Sequence, residues 1–157
     1  NDRVSSLLRC LQPFFLDVQV VCGANVTLPC RGIDIKQGNF VSVAWYKVSH
    51  SLCLLVERRL GIVRWSGNST KHYNYTREAR FGQDYSLTLF GVTPEDSGTY
   101  ACAINAKVGG QNQCLNVSLT AKYLYDFCVG CGFTGLLCAA DISSLTHTSG
   151  SQSTYLL

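Results

Sequence analysis

The sequence lacks most of what an enzyme or a nucleic-acid-binding domain needs. Charged residues are only 15% of the 157, the net charge is +3, and the basic residues are not clustered. DNA and RNA are therefore not expected partners. The histidines His50, His72 and His147 lie far apart in the chain. No nucleophile elbow, His-Glu-x-x-His pair or phosphate-cradling glycine loop occurs, so the usual marks of hydrolases, zinc peptidases and nucleotide enzymes are missing. No catalysis and no cofactor are expected. Long apolar runs are missing too. The stretch "FCVGCGFTGLLCAA", 14 residues between Asp126 and Asp141, carries no charge; a membrane span needs about 20 apolar residues. Methionine is absent, so the start is expected to lie downstream of an initiator. Residues 1–16 are expected to be an arm or residual leader, because Arg9, Gln12 and Pro13 interrupt their apolar character.

Cysteine, in contrast, is abundant, with nine in the chain, and apolar residues reach 46%, enough for a core. Asn-x-Ser/Thr sequons stand at Asn25, Asn68, Asn74 and Asn116. Together they point to the secretory route, an oxidising compartment and glycosylation at those asparagines.

No long helical stripe competes with a period of two that runs from Val18 to Ala121. "VTLPC" sets Val26, Leu28 and Cys30 on one face. "VSVAWYKV" sets Val43 and Trp45 against Ala44, Tyr46 and Val48. "YSLTLF", "TYACAI" and "CLNVSLT" continue the pattern through Tyr85, Leu87, Leu89, Tyr100, Cys102, Ile104, Leu115, Val117 and Leu119. Short alternating runs separated by Gly, Asn, Asp and Pro predict an antiparallel all-β sandwich. "TPEDSG" reads as one helical turn, and 59–80 as an edge strand with loops on the rim.

Cys30 and Cys102 both face inward and lie 72 residues apart, with Trp45 following Cys30 by 15. This is the Cys…Trp…Cys spacing of an immunoglobulin domain, in which a disulfide joins the two sheets. Tyr100, two residues before the second Cys, fits a tyrosine corner. Asp96 in that corner is expected to pair with Arg80. The 72-residue interval leaves room for two extra central strands, so the expected fold is a V-type immunoglobulin-like sandwich. No Phe-Gly-x-Gly joining motif follows Cys102, which sets the chain apart from rearranging antigen receptors.

"VQVVCGANVTLPC", "VAWYKV", "LGIVRW", "YSLTLFGVTPEDSGTYAC" and "VGGQNQ" together resemble the dendritic-cell maturation antigen of the cluster-of-differentiation series, number eighty-three, in its fish forms. The likeness covers roughly 18–121 and includes Cys22, eight residues before Cys30. It implies a single-domain glycoprotein that regulates lymphocyte or antigen-presenting-cell responses through a protein ligand or receptor on immune cells. In that family a further Cys closes the last strand, within reach of the counterpart of Cys22. Here that strand ends "SLTAKY", and Cys114 lies at its start. Cys10, Cys22 and Cys114 remain candidates for an extra disulfide. The family also has a membrane span, which residues 127–140 match poorly, so both a type I cell-surface protein and a secreted one are kept open.

The expected organisation is an arm at 1–16, a V-type domain at 17–122, a short apolar Cys-rich segment at 123–142 and a Ser/Thr-rich disordered tail at 143–157. Cys128, Cys131 and Cys138 invite a zinc reading, but only His147 stands near as a fourth ligand, so acylated or disulfide-forming cysteines are preferred. Binding is expected on the outward face through Tyr46, Val48, Ala101 and Ala103, with Ala44 beside them, or on the loop "AKVGGQNQ" through Lys107 and Gln111. Asn116 points outward by parity, so a glycan there would cover part of that face. A homotypic adhesion module, dimerising through the same face, is the alternative.

Overall fold

The computed structural model of the chain describes residues 15–31, 38–51 and 56–124. Among these, nine strands run in chain order: β1 (Phe15–Val21), β2 (Val26–Leu28), β3 (Phe40–Ser51), β4 (Val56–Ser66), β5 (Ser69–His72), β6 (Ala79–Phe81), β7 (Leu87–Leu89), β8 (Gly98–Ala106) and β9 (Gln113–Lys122). They form a large sheet in the order β1-β9-β8-β3-β4-β5 and a small one in the order β2-β7-β6.

The alternating residues meet between the sheets. Leu28, Leu87, Leu89 and Val26 from the small sheet face Val43, Trp45, Tyr100, Cys102, Ile104, Val117 and Leu119 from the large one, all buried in one cluster. Removing this apolar surface from water is what holds two half-apolar sheets face to face. Every strand pair is antiparallel except β1 with β9, which run parallel. The turn expected in "TPEDSG" is a 3-10 turn at Pro94–Asp96, and a second such turn at Gln83–Tyr85 precedes β7. The fold is the expected V-type sandwich, with β4 and β5 as its two extra strands.

Several local readings change. The first strand starts at Phe15, inside the expected 1–16 arm, because Leu16 extends the inward row of Val18 and Val20 along β9. Residues 63–66 are not an edge strand. They belong to β4, which there pairs with β3 on one side and β5 on the other, so β5 is the edge at that end of the sheet. A bulge explains the weak alternation there. Trp45 lies opposite Val63 but Tyr46 lies opposite Gly61, so Ile62 is the extra residue. An extra residue shifts the two-residue period and hides it from pattern reading.

Cys30 and Cys102 form the inter-sheet disulfide, with Cα atoms 5.8 Å apart. Cys22 and Cys114 are each disulfide-bonded as well, but not to each other. The Cys22 amide donates to the Lys122 carbonyl at 2.8 Å, so Cys22 sits at the far end of β9 from Cys114. Eight residues of strand separate Lys122 from Cys114, about 26 Å, whereas a disulfide needs Cα atoms within about 7 Å. Cys10, the other candidate, lies outside the described residues. So do Cys128, Cys131, Cys138 and His147, most of the 1–16 arm, the tail at 143–157, and all of 123–142 except Tyr123 and Leu124.

Candidate functional site

The corner around Asp96 shows how the fold holds its lower end. Thr93 and Asp96 cap the Pro94–Asp96 turn reciprocally, the Thr93 amide donating to Oδ2 of Asp96 at 2.8 Å. The Tyr100 hydroxyl donates to the Asp96 carbonyl at 2.5 Å. Lys47, from β3, donates to the Glu95 carbonyl at 2.9 Å and lies over the Tyr100 ring. Burial lowers the Lys47 amine from its ordinary pKa, with the nearby Asp96 acting in the opposite sense.

The basic partner of Asp96 is Arg77, which corrects the pairing expected for Arg80. Arg77 Nε and Nη2 reach the two carboxylate oxygens at 3.1 and 3.0 Å, and Nη2 also donates to the Gly91 carbonyl at 2.8 Å. Arg80, on β6, instead pairs with Glu78 and lies over the Phe90 ring. The physical reason is placement. Arg80 is exposed on β6, opposite Thr88 of β7, whereas Arg77 sits before that strand, where the chain crosses the mouth of the corner.

The outer face of the large sheet differs from its expected form. Alternation does put Ala44, Tyr46 and Val48 of β3 there, beside Ala101 and Ala103 of β8. Yet Ala101 is 0%, Ala44 3% and Val48 8% exposed. A flat apolar patch on Ala44, Val48 and Ala101 is therefore not on offer, since all three are buried. Tyr46 and Ala103 are half-buried. Burial raises the Tyr46 phenol above its ordinary pKa. Opposite Tyr46 stands Gly61, and the Tyr73 ring covers it so closely that a Cβ on Gly61 would lie 2.8 Å from Cγ of Tyr73. Arg64 of β4 pairs across with Lys71 of β5, and Lys71 lies over the Tyr73 ring. Alternation concealed this aromatic and basic rim, because it depends on the bulge at Ile62.

The loop between β8 and β9 is ordered by its own bonds. Gly110 donates to the Lys107 carbonyl at 2.9 Å, closing a turn in which Gly109 takes φ +92°. That conformation suits glycine. The Lys107 amide donates to the Asn39 carbonyl at 3.1 Å, and the Ala106 amide to Oδ1 of Asn112 at 2.9 Å. Lys107 and Gln111 are exposed, and between them Val108 is fully so. Val41, at the start of β3, is another large apolar residue exposed at this end of the sheet. Val108 escaped the sequence reading because nothing in a single sequence separates a presented valine from a buried one.

A cleft of about 260 Å³ opens between the β5 and β6 rims, lined in part by His72, Tyr73, Tyr75, Arg77 and Arg80. Its two arginines are already engaged with Asp96 and Glu78. Among the described residues no group of three or more His, Cys, Asp or Glu side chains could hold a metal, and no helix is long and apolar enough to cross a membrane.

Two packed sheets, the inter-sheet disulfide, the buried tryptophan and the two extra central strands define a V-type immunoglobulin domain, a class of non-enzymatic receptor and adhesion modules. The chain belongs to the immunoglobulin V-set domain family, whose model matches residues 16–120. No curated protein matches it in sequence. Among solved structures, human T-cell immunoglobulin and mucin domain protein 1 is 28% identical, with TM-score 0.50, over 68% of this chain and 96% of that one. A structure of Tim-1 gives TM-score 0.54 at 20% identity, over 71% of this chain and 95% of that one. Tim-4 in complex with phosphatidylserine gives 0.51 at 23%, over 68% and 97%. The chain thus shares the fold of immune cell-surface receptors.

Proposed function

We propose that this chain is a glycosylated cell-surface or secreted protein that binds a protein partner on immune cells and regulates lymphocyte or antigen-presenting-cell responses. The observation that carries the binding part is the 106–112 turn. It holds Val108 fully in solvent on a backbone fixed by its bonds to Asn39 and Asn112. An apolar side chain on a rigid loop costs little ordering entropy when it docks, which favours recognition. Lys107 and Gln111 beside it supply polar contacts. The regulatory part rests on the resemblance carried by Cys22 and "VGGQNQ". A homotypic module using the outer face is less well supported, since Ala44, Val48 and Ala101 are buried.

The test is cell staining with a multimerised form of the chain. Binding to a leukocyte population, reduced at least tenfold by Val108→Asp with unchanged thermal stability, is the expected result. Absence of binding, or binding indifferent to Val108→Asp, overturns the reading. Binding abolished by masking phosphatidylserine, the ligand in the Tim-4 complex, would replace the protein partner with a lipid.

A further inference from the structure

We infer that Asn25, Asn68 and Asn74 carry N-linked glycans in the folded protein and that Asn116 does not. The inference rests on the secretory reading above and goes beyond it by dividing four sequons that look equivalent in sequence. A glycan hangs on the asparagine Nδ2, so the side chain must reach solvent and its surroundings must leave room for a bulky, hydrated group.

Three of the positions meet this requirement. Asn25 is exposed ahead of β2, and its Oδ1 accepts the Gly91 amide at 2.9 Å. That bond uses the oxygen, orients the amide and leaves the nitrogen for the sugar. Asn68 is exposed in the two-residue turn between β4 and β5, where the register runs from Ser66 to Ser69 and Gly67 takes φ +58°. Asn74 is exposed two residues beyond the end of β5. Its neighbour Tyr75 turns in to pack on the core.

Asn116 is placed differently. It lies within β9, paired on one side with Ala101 of β8 and on the other with Phe15 of β1. Its Oδ1 is buried, and Ala101 across from it has no exposed surface. Its side chain stands off the outer face half-buried rather than in open solvent, so a sugar on Nδ2 would have to displace the groups packed around it. An independent mark in the sequence agrees: the three exposed sequons end in Thr, and the fourth ends in Ser, the poorer acceptor.

This division has two consequences. Asn68 and Asn74 bracket β5, the exposed edge strand, so their glycans would block strand addition there. No glycan stems from β8, β9 or the 106–112 turn, which leaves Val108 clear for a partner.

The experiment is site mapping on the full chain, secreted from mammalian cells behind a leader peptide. Enzymatic glycan release in heavy-oxygen water converts each occupied Asn to labelled Asp, read by peptide mass spectrometry. Label at Asn25, Asn68 and Asn74, with none at Asn116 in the folded monomer, is the expected result. Label at Asn116, or its absence at any one of the other three, overturns the division while leaving the secretory reading intact. A secreted chain with no label anywhere overturns the division and the reading of the chain as a glycoprotein.

Discussion

Arg77 grips Asp96 with two parallel hydrogen bonds, Nε to Oδ1 at 3.1 Å and Nη2 to Oδ2 at 3.0 Å. The carboxylate side chain is 4% exposed and the guanidinium 37%. Removing Arg77 leaves a buried charge without its cation. A fully buried pair costs about 3–5 kcal/mol when one partner is removed. The exposure of Arg77 reduces this, so Arg77→Met should lose about 2 kcal/mol. Arg80→Met should lose no more than about 0.5 kcal/mol, as for other exposed pairs. Urea denaturation of both variants compares them directly, and equal losses would contradict the assignment.

The tyrosine corner predicts a stability change with pH. Burial, reinforced by the hydrogen bond with Tyr75, pushes the Tyr100 phenol far above its ordinary pKa of 10.0. Burial also raises Tyr46 and Tyr75. Above pH 10.0 the unfolded chain therefore binds fewer protons than the folded one, and stability falls as pH rises. The contribution is fully present below pH 10.0. Lys47 works in the opposite sense: its lowered amine makes stability rise with pH, an effect complete by its ordinary value of 10.5. Tyr100→Phe should cost about 1–2 kcal/mol at neutral pH from the lost bond to Asp96. It should also flatten the decline between pH 10 and 12, measured by thermal melts across that range.

Gly61 and Tyr73 give a packing prediction. Gly61→Val drives a side chain into the Tyr73 ring and should cost about 1–3 kcal/mol through overpacking. In a Tyr73→Ala background the same substitution should cost much less. A double-mutant cycle measures this coupling, and additive losses would show that the ring does not occupy the space.

The Cys30–Cys102 bridge closes a 72-residue loop. Replacing both cysteines by Ala should lower stability by about 4 kcal/mol in the chain-entropy account. Guanidinium titration of the folded variant reads the loss.

Legibility in the sequence followed the range of the interactions concerned. Trp45, Cys30 and Cys102 stand out because core residues are constrained by a short periodic rule and a fixed spacing. The helical turn at Pro94 was readable for the same reason, since capping is local. The partner of Asp96 was not. Arg77 and Arg80 are three residues apart, and only the path of the chain into β6 decides which one reaches the carboxylate. The bulge at Ile62 hid β4 as an interior strand, because one added residue reverses the apparent face of all that follow.

Surface properties divide along the same line. Alternation alone settled which side of β3 and β8 Ala44, Val48 and Ala101 occupy. Their burial depends on what the folded chain packs around them, which the alternation of a single strand does not encode. Asn116 and Asn25 each head an Asn-Val-Ser/Thr sequon, yet one lies between two strands and the other ahead of one. By itself the sequence determined a two-layer β-sandwich stapled at Cys30 and Cys102, because backbone periodicity and apolar burial act residue by residue. Only the tertiary structure decided which cation meets Asp96, which sequon asparagines are exposed rather than half-buried and which valine is fully presented, because each depends on residues brought together from distant parts of the chain.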